Sequence, residues 1–513
     1  MTQRTLEDIT LRLHDGDEVV IATEEIPAGE WTTGDGVLTV RGTIPRGHKL
    51  ATTRVESGEP VRKYGQVIGF ASATIEPGEH VHTHNLAFHE YSRDYEFGVD
   101  LLPDERVPES ERATFEGYVR SDGRVATRNF IGVLTTVNCS ATAAKRIAQS
   151  FQVPGALDEF PHVDGVVALT HGTGCGMAGS GEGWDTLRRT LTGYANHPNF
   201  AGFLLLGLGC EVNEVVSLAQ EWSLPADKPV HAMTIQEFGG TTKTVREGMA
   251  RIRDMLPEAD KARRQTVPAT ELVLGMECGG SDSYSGITAN PALGAAADLL
   301  VRHGGTACFG ETPEIYGAEH LLARRAVSDD VGHKLAELIA WWEKYTAIND
   351  GSMDNNPSPG NHAGGLTTIL EKSLGAVAKG GTTNLTDVVR YAEPITRGGM
   401  VFMDTPGYDP VSVTGLVAGG ANVVCFTTGR GSVFGCKPVP SLKLATNTPM
   451  YDRMSEDMDI NCGLVADGEC SVAEMGERVF RLVLDTASGK QSKSEELGFG
   501  DEEFTPWQLG AVM

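Results

Sequence analysis

The sequence predicts a small all-β domain followed by a large α/β region with mostly parallel sheet. Residues 1–92 contain short β-prone segments separated by turn signals, with no helical periodicity of useful length. From Gly117 onward, continuous apolar runs alternate with helix-like stretches, which is typical of buried parallel strands joined by helices. At 513 residues the chain is also too long for one typical hydrophobic core.

The small domain is predicted to contain several short strands between glycine- and proline-rich turns. Its strand-like segments are residues 19–23, 36–40, 48–50 and 65–71. Residues 93–116 are polar and charged, and we predict a linker there.

The large region is predicted to have two α/β parts, residues 117–268 and 269–513. Five apolar runs end in small or chemically capable residues, at 130–137, 165–169, 203–208, 272–276 and 422–426. Helices are predicted at 140–151, 183–191, 241–256 and 291–302. Because ligands of parallel sheets bind beyond the carboxyl ends of the strands, we expect these ends to form one shared rim.

The composition excludes several classes of partner. The net charge of −26 disfavours nucleic acid and anionic membranes. No apolar stretch reaches the roughly 18 residues that a membrane helix needs, and the first residues lack the apolar core of a signal peptide. Nine cysteines in such a chain favour reduced thiols and a cytoplasmic location.

Three histidines near the N-terminus suggest a metal site. His80, His82 and His84 alternate with other residues, so a strand would place all three imidazoles on one face. Two imidazoles at this spacing can chelate a metal. An exposed histidine-bearing edge without a ligand is the alternative. We predict metal ligation by His82 and His84.

Several cysteines directly follow apolar runs, among them Cys139, Cys175, Cys210 and Cys278. Thiolates at strand ends suit a soft or borderline metal, and three of them could hold an iron–sulfur cluster. No pair has CxxC spacing, so separate strands would have to assemble the site. We predict that Cys175, Cys210 and Cys278 are metal ligands, with a role as small buried hydrophobes as the alternative.

Substrate-binding groups are predicted in three places. A hydroxyl-rich stretch precedes a helix start whose amides can hold a carboxylate, and it supplies Ser281, Asp282, Thr288 and Asn290. A glycine-rich turn with Arg430, followed by Lys443, resembles an anion clamp. Asn361 lies in the segment 344–365, predicted to be a long functional loop. A well-capped helix and structural salt bridges are the alternatives.

The predicted catalytic residues are Lys372, His171 and Glu277. Lys372 could act as a general base that removes a proton next to a carboxylate, provided that its pKa is lowered. A surface lysine is the alternative. His171 and Glu277 each follow an apolar run and are expected at the rim of the sheet.

Taken together, these motifs resemble the altronate/galactarate dehydratase family over nearly the whole chain. The part resembling a SAF-type β-clip domain carries Ile44-Pro-Arg-Gly-His48-Lys49 and Gly78-Glu-His80-Val-His82-Thr-His84-Asn85. The large region carries Gly207-Leu-Gly-Cys210-Glu211, Glu277-Cys-Gly-Gly-Ser-Asp282, Asn356-Pro-Ser-Pro-Gly-Asn361 and Thr428-Gly-Arg-Gly431.

The resemblance implies a hydro-lyase that dehydrates a six-carbon sugar acid with a divalent metal, Fe²⁺ first and Mn²⁺ second. The cysteines keep an iron–sulfur cluster open as the alternative cofactor. The first substrate expected is D-altronate, giving 2-dehydro-3-deoxy-D-gluconate. Galactarate, giving 5-dehydro-4-deoxy-glucarate, and a sulfo acid that loses sulfite are the alternatives within the family. A non-catalytic sugar-acid-binding protein is the alternative outside enzymes, and homo-oligomerisation is compatible with all of them.

Overall fold

The computed structural model describes residues 4–89, 95–222, 224–225 and 227–510. Residues 4–89 form small antiparallel sheets with the orders β1-β2-β5-β8, β3-β4 and β6-β7-β9. Their strands are β1 Thr10–Leu11, β2 Val19–Ala22, β3 Gly29–Thr33, β4 Gly36–Val40, β5 Lys49–Ala51, β6 Pro60–Lys63, β7 Gln66–Ala71, β8 His80–Val81 and β9 Leu86–Ala87. The four predicted strand segments lie within one residue of β2, β4, β5 and β7 at each end.

The predicted linker lies along the C-terminal domain, apart from residues 93 and 94, which are outside the described residues. The Tyr95 hydroxyl donates a hydrogen bond to Glu319, and Arg324 donates to Asp100. A short 3-10 helix occupies Glu109–Glu111, and the next strand begins at Thr114.

The second domain is built on a parallel four-stranded sheet of order β13-β12-β14-β15, with a smaller antiparallel sheet β11-β10-β16 beside it. The strands are β10 Thr114–Val119, β11 Val125–Ala126, β12 Phe130–Thr135, β13 Gly165–Leu169, β14 Phe200–Gly207, β15 Val230–Thr234 and β16 Arg264–Pro268. The helices are α1 Ala141–Gln149, α2 Glu182–Asn196, α3 Val215–Glu221 and α4 Thr241–Ala259. Helices α1 and α4 contribute to one apolar cluster, and α2 and α3 contribute to a separate one. The two pairs of helices therefore cover the two faces of the sheet.

The C-terminal domain contains a parallel seven-stranded sheet of order β19-β20-β18-β17-β21-β22-β23. Its strands are β17 Val273–Cys278, β18 Thr306–Phe309, β19 Leu385–Val389, β20 Gly399–Met403, β21 Val423–Thr428, β22 Ser441–Ala445 and β23 Ile460–Asn461. Its helices are α5 Ala289–Arg302, α6 Glu319–Ala323, α7 Asp329–Ile348, α8 Pro359–Ala363, α9 Ile369–Val377, α10 Asp409–Ala418, α11 Thr448–Arg453, α12 Val472–Ala487 and α13 Lys493–Glu496. The predicted parallel α/β architecture is confirmed.

Two expectations about the large region are wrong. The five predicted strand ends do not share one rim, because β12, β13 and β14 belong to one sheet and β17 and β21 to the other. The segment 344–365 is not one irregular loop, since α7 continues to Ile348 and α8 begins at Pro359. Proline suits the first helical turn, and Ser358 and Asn361 cap α8 reciprocally.

A buried ion-pair cluster joins the small domain to the C-terminal domain. The Lys49 ammonium donates to the Glu371 carboxylate at 2.8 Å, and the Lys63 ammonium donates to the other oxygen at 2.9 Å. Lys63 also donates to the Ser283 hydroxyl at 3.1 Å. These charged side chains have at most 1% exposed surface, so the docking of the small domain depends on their pairing.

Among the described residues, no helix is both long and apolar enough to cross a membrane.

Candidate active site

Buried acidic and basic groups meet at the carboxyl ends of β17 and β18. Glu277 and Cys278 end β17, whereas Glu311 follows β18. The Lys379 ammonium donates to Glu311 at 2.6 Å and to the Cys278 sulfur at 2.8 Å. Lys379 and Glu311 are almost fully buried, so their charges act at low dielectric.

The pKa values of Glu277 and Glu311 are shifted in opposite directions. Burial and the neighbouring Glu311 raise the pKa of Glu277 well above its usual range. Burial opposes ionisation of Glu311 too, but Lys379 and a hydrogen bond from Glu277 hold the pKa of Glu311 below its usual value. Glu277 therefore carries the proton while Glu311 is ionised. The Ser412 hydroxyl donates to the second Glu277 oxygen at 2.7 Å and fixes the carboxyl group.

A cleft of about 430 Å³ opens beside this cluster. Four of its lining residues carry titratable groups, namely Cys278, Glu314, Lys372 and Asp409. Other lining residues offer neutral amides and hydroxyls, namely Thr346, Ser352, Asn355, Asn356, Ser358 and Asn361. A wall with many neutral hydrogen-bonding groups suits a ligand with several hydroxyls.

Lys372 lies on the cleft wall as an ammonium group. It donates to Glu314 at 2.7 Å and to the Asn356 side-chain oxygen at 2.8 Å. Burial alone would lower the pKa of Lys372, but Glu314 and other acidic neighbours raise it above the ordinary value. The structure thus lacks the lowered pKa on which the predicted base role depends, because Glu314 stabilises the charged form. A charged lysine can instead donate a proton.

Asp409, the first residue of α10, is the cleft group that titrates near neutrality. Burial, followed by the negative charges of Glu311 and Glu314, raises the pKa of Asp409 to about 7. Near neutral pH this carboxyl group is present in both protonation states, which is the property of an effective general base.

The histidine site differs from its prediction. Strand β8 includes only His80 and Val81, and the chain then turns, since the Asn85 amide donates to the His82 carbonyl. Alternation therefore ends there. His84 is exposed and its ring centroid lies 5.4 Å from that of His80, but its ring nitrogens are not in the group within 4.8 Å. His48 joins instead, with its Nδ1 3.0 Å from Nε2 of His80. One ligand nitrogen from each of His48, His80 and His82 lies within 4.8 Å of the others.

These three histidines fit a divalent metal. Burial lowers the pKa of His80 to about 4 and that of His82 to about 3, so both rings are neutral at physiological pH. The buried Nδ1 of His82 has no hydrogen-bond partner among the described residues. Neutral imidazoles are preferred ligands of Fe²⁺ and Zn²⁺. Cys278, Glu311 and Glu314 also lie within 4.8 Å of one another. Their cluster already contains the Lys379 ammonium, which would repel a second cation.

Helix α8 connects the histidines with the cleft. Its Ala363 carbonyl lies 3.4 Å from Nε2 of His48, and the rings of His362 and His82 are 6.1 Å apart. Asn361 directly precedes His362 on α8. It lines the cleft and donates to the Ser281 carbonyl at 2.8 Å.

The predicted substrate-binding residues are divided between the cleft and its supports. Asp282 accepts hydrogen bonds from Thr446 and Asn447, and burial raises its pKa. Thr288 donates to the Thr446 carbonyl, and Asn290 accepts from Thr427. These side chains hold the loops at the sheet edge in place, because their polar groups form hydrogen bonds with other residues of the chain.

The remaining predicted residues differ in accessibility. Arg430 is exposed, and its amide donates at 2.8 Å to the carbonyl of Gly280, a residue of the cleft wall. Lys443 is buried and donates to the Phe434 carbonyl at 3.0 Å. His171 lies at the second domain's sheet, where its ring nitrogens contact the Thr135 carbonyl and the Thr173 hydroxyl, each at 3.0 Å.

The predicted metal-binding cysteines do not form one group. Cys278 is in the acidic cluster of the seven-stranded sheet, whereas Cys175 and Cys210 follow β13 and β14 of the other sheet.

Sequence reasoning missed five residues of these sites: His48, Glu311, Glu314, Lys379 and Asp409. The two glutamates follow Thr306–Phe309, an apolar run too short to stand out as a strand. Glu311 has a left-handed φ of 69°, a conformation that non-glycine residues adopt mainly where the surroundings enforce it.

Three family models match the chain. They are the altronate/galactarate dehydratase SAF domain over residues 9–89, the D-galactarate dehydratase/altronate hydrolase second domain over 117–260, and the D-galactarate/altronate dehydratase C-terminal domain over 269–512. Altronate dehydratase of Bacillus subtilis (strain 168) is 35% identical, over 95% of this chain and 97% of its own. The chain belongs to the altronate/galactarate dehydratase family. It is therefore a lyase of the hydro-lyase type, as predicted.

Other relatives in this dehydratase family include enzymes named for different reactions. Galactarate dehydratase (L-threo-forming) of Escherichia coli (strain K12) is 36% identical, over 95% of this chain and 94% of its own. The beta subunit of (2R)-sulfolactate sulfo-lyase from Chromohalobacter salexigens is 33% identical, over 75% of this chain and 95% of its own. The family is thus established, and it includes enzymes named for different substrates.

Proposed function

We propose that this enzyme removes water from a six-carbon sugar acid, with D-altronate as substrate and 2-dehydro-3-deoxy-D-gluconate as product. The proposal rests on the composition of the cleft wall. The Lys372 ammonium lies there among amides and hydroxyls, together with Asp409, whose pKa is raised to about 7. An acid and a base on one polar wall are what the elimination of water requires.

In the proposed reaction, the Asp409 carboxylate takes the C2 proton. The electron pair of the C2–H bond forms the C2–C3 double bond, and the C3–O bond breaks. Lys372 gives a proton to the departing hydroxyl, which leaves as water. The enol then ketonises as its hydroxyl proton is lost and C3 gains a proton. Solvent restores the proton of Lys372 and removes that of Asp409, so that the cycle balances.

The other groups of the cluster support this chemistry. Glu314 accepts a hydrogen bond from Lys372 and orients the ammonium group. Behind the cleft, the ionised Glu311 is paired with the Lys379 ammonium, and the neighbouring Glu277 is protonated. This pairing keeps the buried charges in fixed positions. Arg430, exposed next to Gly280, is the group proposed to bind the substrate carboxylate.

We assign the metal to His48, His80 and His82, with Fe²⁺ as the first ion and Mn²⁺ as the second. When bound, a divalent ion supplies positive charge that stabilises the dianion formed as the C2 proton leaves. The chain's contribution is a set of neutral imidazoles, positioned by the contact of His48 with α8.

A single carboxylate on the substrate agrees best with the charges at the cleft. Lys372 is the one cationic side chain among the lining residues, and Glu314 already neutralises it. Galactarate carries a carboxylate at each end. With Arg430 and the metal both assigned to the carboxylate next to C2, the carboxylate at the other end would require a further cation. This difference favours an aldonate over an aldarate.

The nine free cysteines agree with a cytoplasmic location.

A substrate comparison tests the proposal. The enzyme, loaded anaerobically with Fe²⁺ or with Mn²⁺, is given D-altronate, galactarate or (2R)-sulfolactate, and both 2-keto acid and sulfite are measured. We expect D-altronate to have at least about tenfold the kcat/KM of galactarate, equal to about 1.4 kcal/mol of transition-state stabilisation. Faster turnover of galactarate, or sulfite release, would reassign the substrate. Binding of sugar acid without turnover would indicate a binding protein.

A further inference from the structure

Three of the nine cysteines differ from the others in exposure. Cys139, Cys175 and Cys210 are exposed, whereas the remaining six are buried or partly buried. Free cysteine is ordinarily among the most buried residue types, and an exposed thiol is open to oxidation. Three exposed thiols on one domain therefore require an explanation other than packing.

These three cysteines follow three adjacent strands. In the sheet order β13-β12-β14, Cys139 comes after the central strand, and Cys175 and Cys210 come after its two neighbours. The loops that carry them are in direct contact. The Asn138 amide donates to the Thr173 carbonyl at 3.0 Å, and the Asn213 amide donates to the Gly174 carbonyl at 3.2 Å.

The close approach of these loops is built into the sequence. Gly174 has a φ of +101°, and a Cβ atom there would lie 2.1 Å from the Thr136 carbonyl oxygen. On the third loop, the Glu211 carboxylate accepts hydrogen bonds from the amides of Gly209 and Cys210 at 2.7 and 3.0 Å. These contacts hold the backbone next to each thiol in a fixed place, as a ligand site requires.

The arrangement of the three thiols does not suit a single ion. The sulfurs are not among the groups of described residues whose ligand atoms lie within 4.8 Å of one another, the spacing suited to a single ion. Thiolates that hold an iron–sulfur cluster bind different iron atoms, so their sulfurs stand further apart. We propose that Cys139, Cys175 and Cys210 bind a [4Fe–4S] cluster at the edge of the second domain's sheet, separate from the histidine site.

Cluster binding can be written as a ligand exchange without electron transfer. A preformed [4Fe–4S]²⁺ cluster held by a small thiol reaches the loops, and each cysteine sulfur replaces one carrier thiolate on iron. The proton of each cysteine thiol passes to the released carrier. Five of the other cysteines are buried and Cys470 lies in the C-terminal domain, so the fourth iron keeps an exchangeable ligand.

The test measures iron, acid-labile sulfide and the visible absorption of the full chain. Protein purified anaerobically is analysed before and after incubation with a glutathione-bound [4Fe–4S] cluster. We expect loading to add about four iron atoms and four sulfides per chain. The variants Cys139→Ala, Cys175→Ala and Cys210→Ala should each lose most of the labile sulfide. The variant Cys470→Ala should retain it.

Failure of this inference is separable from failure of the proposed function. His82→Ala should keep the sulfide, because the histidines lie on another domain. Loaded wild-type protein without labile sulfide would overturn the inference, as would three cysteine variants that retain it. Iron retained by the His82→Ala variant without sulfide would also overturn it, in favour of a mononuclear thiolate site. None of these readouts depends on turnover of a sugar acid.

Discussion

Lys49 of the small domain donates to both oxygens of Glu371 of the C-terminal domain, at 3.0 and 2.8 Å, and neither side chain is exposed. Lys49 directly follows His48, and the Glu371 side chain also accepts from the Thr367 amide and hydroxyl on its own domain. The ion pair therefore places His48 against α8, so docking of the domains and assembly of the histidine site depend on the same contact.

Glu371→Gln should destabilise the protein strongly, because two buried lysines would lose their shared counter-charge. We expect the free energy of unfolding to fall by about 3–5 kcal/mol, measured by urea denaturation at constant pH. The control is Glu477→Gln, which removes an exposed pair with Arg481 and should cost at most about 1 kcal/mol. Equal effects of the two substitutions would contradict the anchoring role.

His82→Ala should reduce bound metal, since it removes one of three clustered imidazoles. We expect metal affinity at least about tenfold lower, determined by equilibrium dialysis against Fe²⁺ or Mn²⁺. His84→Ala is the matched control, because His84 is exposed outside the group and its loss should leave affinity unchanged. A larger loss from His84→Ala would restore His84 as a metal ligand, as predicted from the sequence alone.

Asp409 should make stability depend on pH in a definite direction. An aspartate titrates near pH 4 in an unfolded chain, whereas the folded pKa of Asp409 is raised to about 7. Between these values the folded protein holds a proton that the unfolded chain has lost. The free energy of unfolding attributable to Asp409 is therefore fully present below about pH 4 and decreases as the pH rises to about 7.

The comparison of wild type with Asp409→Asn isolates this effect. Urea denaturation at several pH values between 4 and 8 should show wild-type stability falling relative to the variant, by at most about 1.4 kcal/mol per pH unit. A constant difference across this range would mean that the carboxyl group is not perturbed as described.

Lys372→Met should slow the reaction by removing the proposed proton donor. We expect kcat to fall about 10²–10⁴-fold, with retained circular dichroism showing that the fold persists. Lys334→Met, on the partly exposed surface of α7, is the control and should leave kcat within about twofold. A Lys372 variant with near-normal kcat would exclude Lys372 as the acid and equally as the base predicted from the sequence.

Arg430→Met should weaken binding of the sugar acid without altering the fold, because the side chain is exposed. Loss of one charged hydrogen-bonding partner corresponds to about 1.5–3 kcal/mol, so KM should rise about 10- to 100-fold. The exposed Arg453→Met serves as control in steady-state kinetics. An unchanged KM with a reduced kcat would assign Arg430 to the reaction rather than to binding.

The sequence predicted the elements more reliably than their assembly. The runs at 165–169 and 272–276 correspond closely to β13 and β17, since buried parallel strands need continuous apolar residues. Glu277 and Cys278 were correctly expected at a strand end. The apolar runs could not show that β13 and β17 belong to different sheets, because both strands have the same local composition.

By itself, the sequence determined the family, a SAF-type domain followed by a large α/β region, and the presence of reactive groups after apolar strands. Only the tertiary structure decided which of these groups meet. His48 reaches His80, and Lys379 reaches Cys278, across long stretches of chain. The physical reason is that periodicity and turn chemistry act between residues close in sequence, whereas the pKa values of Glu277, Lys372 and Asp409 depend on the charges that packing brings around them.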